Sequence, residues 1–66
     1  MEYQVVYAQG SEFYEVAKEL EKKVNKLLKE GWALQGGVAQ SITKYEWHFM
    51  SQAMVKMSAR NEIRQL

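Results

Sequence analysis

The stretch Ser11–Gly31, SEFYEVAKELEKKVNKLLKEG, decides the fold of this chain. Its apolar residues recur at intervals of three and four, which is the spacing of one helical face: Phe13, Val16, Ala17, Leu20, Val24, Leu27 and Leu28. Ser11 is placed to cap the start of the helix, and Gly31 follows its end, where glycine is favoured. The stretch therefore predicts an amphipathic helix whose apolar stripe needs a partner surface.

The segments around the helix are rich in β-branched and aromatic residues and predict three strands, over residues 2–8, 32–41 and 47–57. Gly36 and Gly37 interrupt the second strand and predict a β-bulge, or a place where something approaches the backbone closely. The predicted fold is α+β, in the order β-α-β-β, with one long helix on one face of a three-stranded, mostly antiparallel sheet. The third strand is the most apolar on both faces, which favours strand order 1-3-2. Order 1-2-3, with a right-handed crossover, is the alternative.

The chain has 66 residues, which predicts one domain over residues 1–57 and a short C-terminal tail, 58–66, that becomes helical only if it docks. A domain of this size lies near the lower limit for folding alone. Cysteine is absent and there is a single histidine, so neither disulfides nor a metal site is expected to stabilise it. Association with copies of itself is the route left open, and a homo-oligomer is predicted.

The formal net charge of +1 creates no strong field toward nucleic acid or an acidic membrane surface. No apolar run approaches the roughly 20 residues that span a bilayer. The N-terminal segment alternates and contains Glu2 and Gln4, unlike a signal or transit peptide. We therefore expect a cytoplasmic protein without a membrane partner and without a cofactor.

Four strings of residues resemble a known family: Tyr3-x-Val5-Val6, Leu27-Leu28-x-Glu30-Gly31-Trp32, Gln35-Gly36-Gly37-Val38 and Gln52-Ala53-Met54-Val55-Lys56. Together they resemble the small bacterial and phage domains grouped as domain of unknown function 1737, over roughly residues 1–57. The resemblance implies a compact α+β unit. It implies no activity, cofactor or catalytic residue.

The sheet face pointing away from the helix is the first candidate site. We expect the aromatic side of the third strand to pack on the helix, which leaves its other side free. The free face is then composed of Gln4, Val6, Ala8, Ala33, Gln35, Ala39, His48, Met50, Gln52 and Met54. Methionine adapts to irregular partners and glutamine offers both donors and acceptors, so this face predicts self-association or ligand binding. In the alternative, the tail folds back over it.

Other features carry weaker signals. Gly36-Gly37 lacks the helix and the Lys-Ser/Thr of a phosphate-binding loop, which favours a structural bulge. His48 has no nucleophile or acid at a recognisable spacing, so an ordinary strand histidine is favoured over a general base. The helix lysines and the strand aromatics are typical of a solvated face and a core, respectively, although lysines can meet phosphates and aromatics can stack on bases.

The sequence thus predicts a non-catalytic, homo-oligomeric binding protein that captures a partner protein or a small ligand at its subunit contacts. The predicted binding residues are Gln4, Val6, Gln35, His48, Met50, Gln52 and Met54, with the backbone at Gly36 and Gly37 open to close approach. The competing hypothesis is a nucleic-acid-binding accessory protein that uses the helix lysines and the aromatic residues. An enzyme is not expected.

Overall fold

A computed structural model describes residues 1–57 of the chain. The elements are β1 (Glu2–Gly10), α1 (Phe13–Lys29), β2 (Ala33–Ile42) and β3 (His48–Lys56). The strands form one sheet in the order β1-β3-β2, and both neighbouring pairs are antiparallel. The predicted α+β class, the element order and strand order 1-3-2 are confirmed. The prediction for the tail concerns residues 58–66, which lie outside the described part of the chain.

The helix ends where the sequence predicts, but it begins later. Helical geometry starts at Phe13, with Glu12 at the N-cap and no side chain bonded to the free amides, so the predicted Ser11 cap is wrong. At the other end Gly31 has a φ of 97°. The Gly31 amide donates to the Leu28 carbonyl at 3.2 Å and the Trp32 amide to the Leu27 carbonyl at 3.0 Å, which is a Schellman motif.

The hairpin between β2 and β3 closes through Thr43. The backbone amide of Thr43 donates to the Trp47 carbonyl at 3.0 Å, and the Thr43 hydroxyl oxygen accepts from the amides of Tyr45 and Trp47. Glu46 takes a left-handed conformation, with a φ of 61°. A threonine side chain therefore supplies the acceptor for these amides, and this explains why the loop needs neither glycine nor proline.

On β1 and β3 the helix packs on the face that was expected to be free, whereas Ala33, Gln35 and Ala39 of β2 point away from it as expected. Its buried residues Val16 and Leu20 form the core with Ala8 and Met50. Beside this cluster lie Met54, which is fully buried, and Gln52, which is 4% exposed. The prediction that Gln4, Val6, His48, Met50, Gln52 and Met54 point away from the helix is wrong, because strand pairing places all of them on the helix side.

The helix covers this face of the sheet because the side chains beneath it are either small or flexible. Small Ala8 lets the helix lie close to β1, and the flexible thioether chains of Met50 and Met54 fill the irregular space that remains. The aromatic residues of the strands point to the other side. Both faces of β1 and β3 are apolar, so alternation along each strand could not show which face the helix covers.

A bulge with two extra residues interrupts β2 at the predicted glycines. Gln35 pairs with Ala53 and Ala39 pairs with Ser51, so three residues of β2 stand opposite Gln52 alone. The predicted bulge is confirmed. A Cβ at either Gly36 or Gly37 would meet no atom within 4 Å among the described residues, and a close approach of a partner to this backbone stays a prediction.

The two glycines of the bulge provide a matched test. Gly36 has a φ of 76°, whereas the φ of Gly37 is not positive. We expect Gly36→Ala to destabilise the fold by about 1 kcal/mol, because the left-handed conformation strains an L side chain. Gly37→Ala should be neutral or slightly stabilising. Urea denaturation followed by circular dichroism measures both. Equal losses would contradict the assigned backbone geometry.

Candidate binding surfaces

The outer face of the sheet is the side opposite α1, and no other part of residues 1–57 packs on it. Strand pairing places twelve side chains on it: Tyr3, Val5, Tyr7 and Gln9 of β1, Phe49, Ser51, Ala53 and Val55 of β3, and Ala33, Gln35, Ala39 and Ser41 of β2. None of the twelve is charged. Tyr3 is 65% exposed, Tyr7 57% and Val5 51%. A sheet face that met only water would be expected to carry charged side chains, so this surface has the composition of an interface.

Lys23 and Lys56 lie on the helix side of the sheet, Lys23 on α1 and Lys56 at the end of β3. The Lys23 ammonium on α1 donates to the Tyr7 carbonyl at 2.8 Å and lies 5.6 Å from the centre of the Tyr7 ring. The Lys56 ammonium lies 5.8 Å from the centre of the Trp32 ring. Both cations therefore contact aromatic rings of the chain itself. The nucleic-acid hypothesis stays a prediction.

A groove separates α1 from β2 on the helix side of the sheet. The helix packs mainly on β1 and β3, and the apolar side chains of β2 that point toward it stay about half exposed. The groove has a volume of ≈ 520 Å³. Its lining combines apolar residues with a few polar ones: Phe13, Ala17, Leu20, Glu21, Val24, Leu34, Val38, Gln40, Met50 and Gln52.

Gln52 forms part of the groove and holds the β2 bulge together. Its amide nitrogen donates to the Gly36 carbonyl and to the Ala53 carbonyl at 3.0 Å each, with the Gln35 carbonyl at 3.4 Å. A glutamine oxygen facing these three carbonyls would be repelled, so the surroundings determine which end of the amide points inward. Two strings that are distant in the sequence, Gln35–Val38 and Gln52–Lys56, thus meet through one side chain.

A family model for "Domain of unknown function (DUF1737)" matches residues 15–57, which include both of these strings. The chain belongs to this family. The string at Tyr3–Val6 lies before the matched range. No curated protein and no solved structure matches the chain. Membership of DUF1737 thus brings a shared fold and no assigned activity.

His48 of this DUF1737 domain lies on the helix side, near the end of the sheet. Its ring meets the Phe13 ring edge-on, with centroids 5.7 Å apart. The Nδ1 atom of His48 is fully buried and has no hydrogen-bond partner. No group of three metal-ligating side chains comes together within residues 1–57. The arrangement resembles a packed strand histidine, and a catalytic role finds no support in it.

The predicted binding residues divide between two surfaces. Gln35 lies on the outer face, as expected, whereas the other predicted side chains lie on the helix side, where Met50, Gln52 and Met54 are buried. Tyr3, Val5, Tyr7 and Phe49 lie on the outer face, although the strand aromatics were expected in the core. Charge patterning could not have found them, because the positions that face the helix are also uncharged, apart from Glu2 and Lys56 at the strand ends.

Helix α1, the one helix of the described residues, is neither long nor apolar enough to cross a membrane. The cytoplasmic location stays a prediction.

Replacing Gln52 tests its role in the bulge. We expect Gln52→Met to destabilise the domain by about 2–3 kcal/mol, because it leaves the Gly36 and Ala53 carbonyls without the donor they share. The matched control is Gln40→Met in β2, an exposed position where the same change should alter stability by less than about 0.5 kcal/mol. Urea denaturation measures both. A neutral Gln52→Met variant would contradict the assigned hydrogen bonds.

Proposed function

We propose that this DUF1737 domain is a non-catalytic binding protein that acts as a homo-oligomer, with its subunits in contact through the outer face of the sheet. The observation that carries the proposal is the uncharged outer face with its exposed Tyr3, Val5, Tyr7 and Phe49. Large apolar patches on small soluble proteins mark sites of interaction.

The size of the outer face fits a contact between two copies. Strands of nine or ten residues, with about 3.3 Å per residue and about 4.8 Å between strands, give a surface of roughly 30 by 14 Å. Side-chain relief increases the accessible area above this projected value, toward the roughly 600–1,000 Å² that each partner contributes to a stable interface. Two such faces can pack as a β-sandwich about 10 Å apart.

The distribution of side chains on the outer face also suits a symmetric contact. Alanines and serines occupy much of β2 and β3, whereas tyrosines project from β1. In an isologous pair, the projecting rings of one copy can lie over the flatter region of the other. Lys23, which reaches the Tyr7 ring from α1, would then form part of a polar rim, as is usual around an apolar interface.

The small core of the single chain supports the same proposal. The apolar residues that are buried among residues 1–57 are Ala8, Val16, Leu20, Met50 and Met54. All ten residues of β2 are exposed. A second copy on the outer face would add buried apolar area that a chain of this length lacks on its own.

Light scattering coupled to size-exclusion chromatography tests the proposal. We expect a mass at least twice that of one chain at micromolar concentration. Val5→Lys should raise the dissociation constant of the oligomer about 100-fold or more, because each interface would bury unpaired charge. Val5 is half exposed in the single chain, so circular dichroism should show the helix retained.

The matched control for Val5→Lys is Asn25→Lys, which adds the same charge at an exposed position of α1. This control variant should assemble like the unmodified protein. A monomeric unmodified protein, or equal weakening by both substitutions, would contradict the proposed subunit contact.

A further inference from the structure

The groove between α1 and β2 has the dimensions and the lining of a small-molecule site. Its volume of ≈ 520 Å³ falls within the roughly 300–1,000 Å³ of ligand pockets. The apolar walls come from both elements, with Leu20 and Val24 on the helix and Leu34 and Val38 on the strand. The groove lies on the opposite side of the sheet from the outer face, so a subunit contact on that face leaves it accessible.

The Gln52 side chain places an unused acceptor in the wall of this groove. Its nitrogen is committed to backbone carbonyls, so its oxygen Oε1 points the other way. Within residues 1–57 that oxygen receives no hydrogen bond, although Gln52 is only 4% exposed. Among the described residues, the fully buried side-chain polar atom without a partner is His48 Nδ1, so Gln52 Oε1 keeps some accessible surface, and Gln52 is one of the residues that line the groove.

An acceptor in an apolar wall gives the groove a chemical preference. An acceptor with little accessible surface in an apolar wall can hydrogen-bond only a few water molecules, and a ligand that donates to it forms a hydrogen bond shielded from bulk water. Glu21, which is exposed, adds a carboxylate to the lining of the same groove. Both groups accept hydrogen bonds, and Glu21 repels anions. The lining contains no lysine or arginine.

We propose that this groove binds a small arylalkylamine, with its aromatic ring between α1 and β2, a ring N–H donating to Gln52 Oε1, and its alkylammonium group beside Glu21. The proposal rests on the proposed function in that it names the ligand class of a binding protein. It does not require that the outer face joins the subunits, but it does require that no subunit contact covers the groove.

Three related compounds test the chemistry one group at a time. Tryptamine carries the ring N–H and the ammonium group, indole carries the ring N–H alone, and indole-3-acetate replaces the cation with an anion. Each is titrated into the ¹⁵N-labelled full chain and followed by two-dimensional NMR. We expect saturable shifts at the Gln52 side-chain amide and at Gly36 and Val38, with tryptamine binding at least 10-fold more tightly than indole-3-acetate.

Glu21→Gln tests the charged end of the groove. We expect this variant to bind tryptamine about 3- to 10-fold more weakly and to bind indole unchanged. The matched control is Glu19→Gln, which removes the same charge from the same helix but lies outside the groove lining. It should change neither affinity.

Four outcomes would overturn the inference: no saturable shifts up to millimolar tryptamine, shifts confined to the outer face, equal affinity for tryptamine and indole-3-acetate, or equal effects of the two glutamate substitutions. Contacts from residues 58–66 or from a second copy to Val38 in the ligand-free protein would also overturn it.

Light scattering on the same samples separates the two proposals. An oligomer that binds no amine defeats this inference alone, and a monomer that binds tryptamine in the groove defeats only the proposed subunit contact.

Discussion

The hydrogen bonds from the Gln52 amide to the bulge of β2 are the interaction on which both candidate surfaces depend. Three residues of β2 stand opposite one residue of β3, so the regular ladder of backbone hydrogen bonds is interrupted there. The Gln52 nitrogen replaces the missing donors at the Gly36 carbonyl and closes the gap from beneath the helix. Without it, buried carbonyls would lack partners in the centre of a very small sheet.

The same bulge determines what β2 offers on each of its faces. It adds an even number of residues to the strand, so the alternation of side chains is preserved on either side of it. Leu34 before the bulge and Val38 within it both line the groove, whereas Gln35 and Ala39 share the outer face. A single extra residue would have moved the remainder of β2 to the opposite faces. One polar side chain therefore supports a strand register, a groove wall and a flat outer surface.

Much of the fold was predictable because it depends on local signals. The three-and-four spacing of apolar residues predicts α1, and Gly31 predicts its end, since the left-handed conformation there is favourable mainly for glycine. The strand order followed from β3, which is apolar on both faces and lies in the centre of the sheet. Adjacent glycines in a strand indicated the bulge.

The site was less predictable because it depends on which side of the sheet the helix covers. Both faces of the strands are apolar, and the assumption that Phe49 and its aromatic neighbours belong to the core reversed the two faces. The groove could not be foreseen either, since it exists only because α1 lies over β1 and β3 and leaves β2 uncovered. One signal was present in the sequence. Gln52 is a polar residue between Met50 and Met54 on one face of the predicted strand, and in the fold it stands opposite the two glycines whose carbonyls need donors.

Hydrogen exchange at the Gln52 side chain tests the central claim most directly. If its amide holds the bulge, its two N–H protons should give separate, well-dispersed NMR signals that exchange with water at least about 100-fold more slowly than those of the exposed Gln9 and Gln40 side chains. Gln52 protons that exchange as fast as those of the exposed glutamines would contradict the claim, and with it the assigned register of β2 and the acceptor in the groove.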